Sequence, residues 1–344
     1  MMKRIAVLVA AVMQLVSLTG CAQRYNGNML AIAFYNCENF FDTRHAAGKM
    51  DEEFTPEGKY HYTERIYRQK VHNIATVIQR LAGGETGRGA SLIGLAEVEN
   101  DHVLNDLVSE PAIAQRHYKY IWFNGPDERG INIAMLYDPS VFRLIKADPV
   151  HVSLDGTGGK ETTRDVLHAY GVLAGDTVHI LVNHWPSRRG KEEESVRKRA
   201  IAAGVDKSIV STIFAANRNA RIIIMGDLND NPTDASVKEV LGTKNNENEV
   251  GLQDLYDPME ALYASGQGTL EYKHKWDLFD QIILSGRWLH KSKGWHFDKA
   301  VIFNEDFLVD HYKKMDGYPH RSFAGTHWIN GYSDHFPVIV YLKK

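Results

Sequence analysis

The stretch Leu30-Ala31-Ile32-Ala33-Phe34-Tyr35-Asn36-Cys37-Glu38 begins with six apolar residues and then turns polar. This pattern predicts a buried strand over residues 30–35 that ends at the edge of a sheet. Because alternate residues of a strand point to the same side, we expect Asn36 and Glu38 to reach one pocket. An ordinary strand-to-loop transition would carry similar residues, so this stretch gains meaning only from others like it.

Three further stretches place polar side chains beside apolar runs, at residues 92–97, 221–229 and 333–335. Glu97 ends the first run, and Asp227 and Asn229 follow the second. Asp334 and His335 precede the final run. Asn, Glu and Asp supply the oxygen ligands that hard divalent cations prefer, and a neighbouring His can hold charge or a proton. Together the four stretches predict a metal-dependent phosphoester hydrolase.

Two further residues extend this predicted site. His184 ends the apolar run over residues 178–183 and adds a second imidazole at a strand end. Asp280 lies in the run over residues 279–284 and is a candidate partner that would raise the pKa of His335. A buried Asp with a purely structural role would have the same appearance in the sequence.

Length and charge limit the possible functions. A chain of 344 residues with 44% hydrophobic content can bury a full core, and we expect one large domain over residues 30–344. The net charge of -3 argues against a protein that holds nucleic acid through a broad basic surface. Transient contact with nucleic acid during catalysis is compatible with this charge.

The first residues are typical of an export signal. An apolar stretch over residues 5–18 follows two basic residues and is too short for an ordinary membrane span. It leads into Leu18-Thr19-Gly20-Cys21, which resembles a bacterial lipobox. We therefore predict a signal peptide over residues 1–20, a lipidated Cys21 and a tether over residues 21–29. The protein would be exported and anchored to a bacterial membrane, facing the periplasm rather than the cell surface. An uncleaved amphipathic start is the alternative.

The remaining chain alternates many strands with a few helices. Helices are expected over residues 66–81 and 195–216. Apolar runs predict strands over residues 30–35, 92–97, 118–123, 131–137, 166–173, 178–183, 221–225, 279–284 and 337–342. This order favours a layered α+β domain with packed sheets.

Taken in their order, these stretches resemble the endonuclease/exonuclease/phosphatase superfamily, which includes DNase I and the exonuclease III type of abasic endonuclease. The resemblance covers about residues 31–342. It implies a DNase I-like four-layer sandwich of two packed mixed β-sheets flanked by helices. It also implies Mg²⁺ as the cofactor, with Mn²⁺ able to substitute, and in-line attack of water on a phosphoester without a covalent enzyme intermediate.

The resemblance also implies a role for each matching position. The metal would be held by Glu38, Glu97 and Asp334. The catalytic residues would be His184, Asp227, Asn229, Asp280 and His335. Asn36 would contact the phosphate and order the site, and Arg164 would face the phosphate or serve the structure. Direct ligation by Glu38 is the least general of these assignments, because this position is not always acidic in the family.

Substrate binding rests on weaker patterns. The segment Ser187-Arg188-Arg189-Gly190-Lys191 directly follows the His184 run and could hold substrate phosphates beyond the scissile one. It could equally be a solvated loop balanced by three following glutamates. Arg321, with Trp328 and Tyr332 nearby in sequence, could form a second rim on which a base stacks, although ordinary packing of these aromatic residues explains them as well.

Three functions follow. The favoured one is an exported, lipid-anchored nuclease, endonuclease or exonuclease, for which nucleic acid is a transient substrate and no protein partner is implied. The alternative is a phosphatase or phosphodiesterase that acts on sugar, inositol or lipid phosphates. The third is an anchored binding protein without catalysis, which is disfavoured because every acidic, amide and histidine position of the site is filled.

Overall fold

The computed structural model describes residues 27–154, 162–291 and 294–344. The predicted signal peptide and the predicted lipidation site Cys21 lie outside these residues, so both stay predictions. Among the helices in the described ranges, none combines the length and the apolar character needed to cross a membrane.

The strands account for most of the regular structure. In chain order they are β1 (Met29–Phe40), β2 (Leu92–Val98), β3 (Lys119–Trp122), β4 (Asn132–Tyr137), β5 (Phe142–Val150), β6 (Val166–Leu173), β7 (Asp176–His184), β8 (Arg221–Asp227), β9 (Thr243–Lys244), β10 (Leu255–Tyr256), β11 (Leu270–Tyr272), β12 (Lys275–Asp277), β13 (Asp280–Ser285), β14 (His296–Ile302), β15 (Phe323–Ala324), β16 (His327–Trp328) and β17 (Val338–Lys343). Each of the nine predicted strands corresponds to one of these.

Helices connect several of the strands. They are α1 (Glu64–Arg80), α2 (Gly83–Thr86), α3 (Asp101–Ser109), α4 (Glu192–Ala216) and α5 (Met259–Ala264), with a π-helix at Ser236–Leu241. Short 3₁₀ turns lie at Glu52–Phe54, Ala114–Arg116, Glu247–Glu249, Gly286–Leu289, Asp306–Leu308 and Lys313–Met315. Both predicted helices are confirmed, as α1 and α4.

The strands form two large mixed sheets. The first has the order β14-β17-β1-β2-β4-β3, and the second has the order β5-β6-β7-β8-β13-β10-β9. Two small hairpins, β11 with β12 and β15 with β16, complete the described strands. Parallel pairing joins β1 to β2, β7 to β8 and β9 to β10, whereas the other neighbours within the two large sheets are antiparallel.

The alternation of side chains along the strands produces four layers. In β8, Ile223 and Met225 belong to the core between the two sheets, whereas Ile222 and Ile224 face a second core beneath α4. The apolar stripe of α1, which includes Ile74 and Ile78, packs into the core of the first sheet. The architecture is therefore helix, sheet, sheet, helix, which confirms the predicted DNase I-like α+β sandwich.

The register of the second sheet brings three predicted site residues together. His184 at the end of β7 pairs with Asp227 at the end of β8, and Asp280 at the start of β13 pairs with Asp227 from the other side. Gly226 makes this approach possible, because a Cβ there would lie 2.5 Å from the carbonyl oxygen of Asn183. The edge of the sheet at these residues is where the site forms.

Candidate active site

Irregular backbone at the strand ends sets the orientation of several predicted site residues. The pairing of β1 with β2 shifts register between Asn36 and Phe40, and that of β2 with β4 shifts between Ala96 and Val98. Within these bulges Glu38 has a φ of 49° and Glu97 a φ of 60°. Left-handed backbone is costly for a residue with a Cβ and is held in place by its surroundings, commonly at functional sites.

Asp227 lies at the centre of the site. Its Oδ2 accepts a hydrogen bond from Asn36 Nδ2 at 3.0 Å, and its Oδ1 accepts one from the backbone N–H of Asn229 at 3.0 Å. His184 Nε2 lies 3.5 Å from the same Oδ2. Burial raises the pKa of Asp227 to about 6, against the opposing charge of His335. A carboxylate with these properties can accept a proton near neutral pH.

Asp280 and His335 form a buried charged pair. His335 Nδ1 lies 2.7 Å from Asp280 Oδ2, and the Asp280 side chain is fully enclosed. Burial alone would lower the pKa of His335, but the charge and hydrogen bond of Asp280 hold it well above the usual value. This supplies a fixed positive charge beside Asp227.

The side chains of Asp227, Asp280 and His335 lie close enough together to be compared with a metal centre, with one ligand atom of each within 4.8 Å of the others. A protonated imidazole, however, donates through both nitrogens and offers no lone pair to a metal. Since Nδ1 of His335 is already bonded to Asp280, we interpret this group as acid-base machinery.

His184 differs from His335 in charge. Burial, together with the positive charges of Arg164 and Arg129, lowers the pKa of His184 well below its usual value. The imidazole is therefore neutral and can donate a hydrogen bond from one nitrogen without repelling the basic residues around it.

Arg164 is anchored within the protein. It donates from Nε to the carbonyl oxygen of His184 at 3.0 Å and from Nη2 to that of Trp185 at 2.5 Å. Its Nη1 lies 3.1 Å from Asp127 Oδ2. Of the two roles implied by the resemblance, these contacts favour the structural one: Arg164 fixes the end of β7.

Beside the predicted metal ligand Glu38 lies a lysine that the sequence pattern did not reveal. The Nζ of Lys70, from α1, lies 4.0 Å from Glu38 Oε2 and is buried. Burial lowers the pKa of Lys70, and the charges of Glu38, Asp334 and Glu97 act against that shift. Three carboxylates outnumber one ammonium, so this part of the site carries net negative charge.

The three carboxylates Glu38, Glu97 and Asp334 are of the type that binds a hard cation, but they do not converge on one point. Burial and the charge of Asp334 raise the pKa of Glu38 to about 7. A bound cation would offset the repulsion between these two carboxylates. Glu38 Oε2 accepts the N–H of Ser322 at 2.6 Å, and Glu97 Oε2 accepts that of Asn39 at 2.7 Å. Among the described residues, one ligand atom from each of the three carboxylates does not converge within 4.8 Å. The oxygen-only donor set matches Mg²⁺ or Mn²⁺.

The two arginines of the basic loop after β7, Arg188 and Arg189, differ in their contacts. Arg188 was predicted to bind substrate, but it donates from Nε to the carbonyl oxygen of Asn229 at 2.8 Å and from Nη2 to the carboxylates of Asp230 and Asp234. Its guanidinium is thus engaged by two acids and braces the turn after β8, while its side chain stays 40% exposed. Arg189 makes no hydrogen bond or ion pair with another residue in the described ranges, so it is open to solvent.

A cleft of about 430 Å³ extends from the end of β7. Arg129, Arg189 and Lys198 line it, together with the acidic residues Glu128 and Glu194. Lys198 is paired with Glu194 at 2.9 Å. Among the residues that the structure describes, the cleft therefore presents mixed charge, and Arg189 is an exposed cation on it.

Arg321 stands on another side of the site. Its Nη2 lies 3.7 Å from Asp334 Oδ2, and its side chain is 39% exposed. The aromatic residues predicted to form a rim with it are packed: Trp328 lies edge-on to Phe323, and Tyr332 lies edge-on to Phe307. Arg321 therefore stays a candidate for substrate binding, and these contacts give the two aromatic rings a packing role.

Comparison with known proteins matches this geometry to a family. A sequence profile described as "Endonuclease/Exonuclease/phosphatase family" matches residues 31–344. A search of curated proteins finds no match. Among solved structures, the mannosyl-6-phosphatase of Bacteroides thetaiotaomicron VPI-5482 is similar at a TM-score of 0.56 and 17% identity, covering 92% of this chain and 100% of that one.

Two other solved structures are similar to the same extent. D. rerio TDP2 complexed with single strand DNA product gives a TM-score of 0.55 at 14% identity and covers 92% of this chain and 99% of that one. The human Nocturnin catalytic domain with bound sulfate gives 0.51 at 15% identity and covers 92% and 94%. At these identities the likeness shows a shared fold.

Proposed function

The chain belongs to the endonuclease/exonuclease/phosphatase family, whose members are metal-dependent phosphoesterases, and we propose that it is an exported nuclease that hydrolyses phosphodiester bonds with Mg²⁺. The observation that carries the proposal is the buried pair of Asp280 and His335 beside Asp227. It combines a proton acceptor with a fixed positive charge, which attack of water on a phosphate anion requires.

Each polar residue of the site has a task in this reaction. Asp227 accepts the proton of the attacking water, while Asn36 and the N–H of Asn229 hold its two oxygens in position. His335 faces the phosphate oxygens as an imidazolium, and Asp280 keeps it protonated. The neutral His184 donates to the scissile phosphate without adding charge.

Glu38, Glu97 and Asp334 are the residues that would hold Mg²⁺. An ion bound there would supply positive charge against the charge that develops on the phosphate. Lys70 lies 4.0 Å from Glu38, and its positive charge favours the ionised form of that carboxyl against the larger opposing effects of burial and Asp334.

The cleft supports a substrate that continues beyond the scissile phosphate. Arg189 lies on it with its guanidinium free of contacts to other described residues, where it can bind a neighbouring phosphate of a nucleic acid strand. The mixed charge of the cleft favours a second candidate, a sugar phosphate, whose hydroxyl groups suit the facing acidic residues Glu128 and Glu194. A nucleic acid is our first choice because it presents phosphates on both sides of the scissile bond.

The test is hydrolysis by the purified chain of single-stranded and double-stranded DNA, RNA and a panel of sugar phosphates and lipid phosphodiesters. Assays with Mg²⁺, Mn²⁺ or EDTA measure the metal requirement. We expect cleavage of nucleic acid that EDTA reduces by at least about 10³-fold, since the ion offsets several kcal/mol of developing charge. Hydrolysis confined to sugar phosphates would replace the nuclease by the second candidate, and equal rates in EDTA would remove the metal from the proposal.

Arg189→Ala is expected to raise KM for an oligonucleotide about 10-fold, since one charge-assisted contact to a phosphate contributes about 1.5 kcal/mol. The value of kcat should change little, because Arg189 lies away from the reacting atoms. The effect should shrink at high salt. Arg143→Ala, in the edge strand β5, serves as the charge-matched control and should leave KM unchanged. An unchanged KM in Arg189→Ala would place the substrate outside the cleft.

A further inference from the structure

The main chain of Trp185 joins three parts of the site. Its N–H donates to the carbonyl oxygen of Asp227 at 2.9 Å, directly after the last paired residues of β7 and β8. Its carbonyl oxygen accepts Asn229 Nδ2 at 3.0 Å and Arg164 Nη2 at 2.5 Å. A small displacement of the main chain at this one residue would therefore move Asn229, and through it the N–H that holds Asp227.

The side chain of Trp185 donates a hydrogen bond to a buried acidic residue of α4. Its indole Nε1 donates to Asp206 Oδ2 at 3.2 Å. Asp206 lies in the middle of α4, on the outer side of the second sheet, and has no exposed surface. The indole is itself 2% exposed and packs among the apolar residues under α4.

Burying the Asp206 carboxyl costs desolvation free energy, so its hydrogen bond to the Trp185 indole needs an explanation. Its second oxygen, Oδ1, makes no hydrogen bond of acceptable geometry within the described residues, although the amide of Asn183 lies nearby. Burial raises the pKa of Asp206 to about 7. An apolar side chain would fill the same space without the desolvation cost. What the carboxyl supplies is a fixed acceptor for the indole N–H.

We propose that Asp206 is a positioning residue of the active site, which fixes the Trp185 indole to α4 and so fixes the main chain of Trp185, whose carbonyl and N–H groups contact Asn229 and Asp227. Asp206 touches neither substrate nor cofactor. Its effect runs through one hydrogen bond, the rigid indole ring and the adjoining main chain. The kinetic part of this inference rests on the proposed hydrolysis, but the structural coupling does not.

Kinetics separate positioning from simple stabilisation. Asp206→Leu is expected to lower kcat about 10- to 100-fold with KM kept within about threefold, because a small misplacement of catalytic groups costs this much. Asp206→Asn should keep kcat within about threefold, because its amide oxygen can accept the same indole hydrogen bond. Asp257→Leu is the matched control, since Asp257 is equally enclosed but lies between β10 and α5. It should lower thermal stability without lowering kcat per folded molecule.

Trp185→Phe tests the same bond from the other side and covers the case in which Asp206→Leu does not fold. It should lower kcat like Asp206→Leu, and where Asp206→Leu folds, the double variant of the two should lose no more kcat than either single variant, because both changes act on one contact. Additive losses would contradict the proposal. So would an Asp206→Asn variant as impaired as Asp206→Leu, or a control variant that loses kcat equally.

Nuclear magnetic resonance gives a readout that needs no substrate. In Asp206→Leu the indole N–H resonance of Trp185, assigned by its loss in Trp185→Phe, should shift together with the side-chain amide resonance of Asn229. Asp257→Leu should shift neither. If wild-type protein hydrolyses nothing in the panel, the proposed function fails while this coupling is still measured. If hydrolysis is found but the Asn229 resonance does not respond to Asp206→Leu, the positioning role is overturned.

Discussion

Asp227→Asn is expected to lower kcat about 10³-fold or more on the best substrate of the panel, because a positioned general base contributes 10²- to 10⁴-fold. The new amide keeps an oxygen for the N–H of Asn229 but presents an NH₂ group to Asn36 Nδ2, which is itself a donor. The variant thus loses the proton acceptor and sets two donors against each other. Because substrate contacts are made mainly by other residues, KM should change much less than kcat.

Initial rates at saturating substrate, with thermal unfolding measured on the same samples, test this expectation. Asp257→Asn is a matched control, since it is the same change at a fully enclosed carboxyl away from the site. It should reduce stability and leave kcat per folded molecule unaltered. A kcat of Asp227→Asn within about tenfold of wild type would assign the base to another residue.

The buried elements of the fold could be predicted from the sequence because burial on both faces leaves a continuous apolar run. The strand β8 shows this: four apolar residues, Ile222 to Met225, supply one core through alternate positions and a second core through the others. The same reasoning found the edge strand β3 but missed two other edge strands. Strands β5 and β14 each lie at one end of a sheet and are only partly buried, so their sequences lack the apolar signal.

Some residues of the candidate site could be placed from the sequence, and others could not. Residues that end a predicted strand, such as Asp227 and His184, could be placed together from the topology alone, since parallel neighbours end at one edge. The orientation of Glu38 could not, because the bulge after Asn36 interrupts the strict alternation on which the prediction relied. Bulges depend on tertiary pairing and leave little trace in a single sequence.

Partners from distant helices were also missed. Lys70 reaches Glu38 from α1, and Asp206 reaches Trp185 from α4, and both are ionisable residues in the interior of a helix. A buried charge in a helix carries a signal only once the packing of that helix is known. Arg188 shows the converse: its polar sequence context suggested substrate binding, while Asp230 and Asp234 engage its guanidinium in ion pairs.

His335→Gln is the second change expected to have a large effect, a loss of about 10³-fold in kcat, since it removes the positive charge that faces the phosphate. Glutamine retains a donor for Asp280 and so limits the damage of leaving a carboxylate buried alone, which costs about 3–5 kcal/mol. His296→Gln is the matched control, because His296 has the same exposure and lies in the edge strand β14. Its kcat should equal that of wild type.

Asp280→Asn decides whether the two residues act as one unit. It removes the charge that keeps the pKa of His335 high, so the imidazole becomes neutral and kcat should fall about 10- to 100-fold. In the double variant with His335→Gln, kcat should be no lower than in His335→Gln alone, because Asp280 has no imidazole left to charge. A further fall would mean that Asp280 acts on the substrate or the cation directly, and the pair would then be two independent groups that happen to lie 2.7 Å apart.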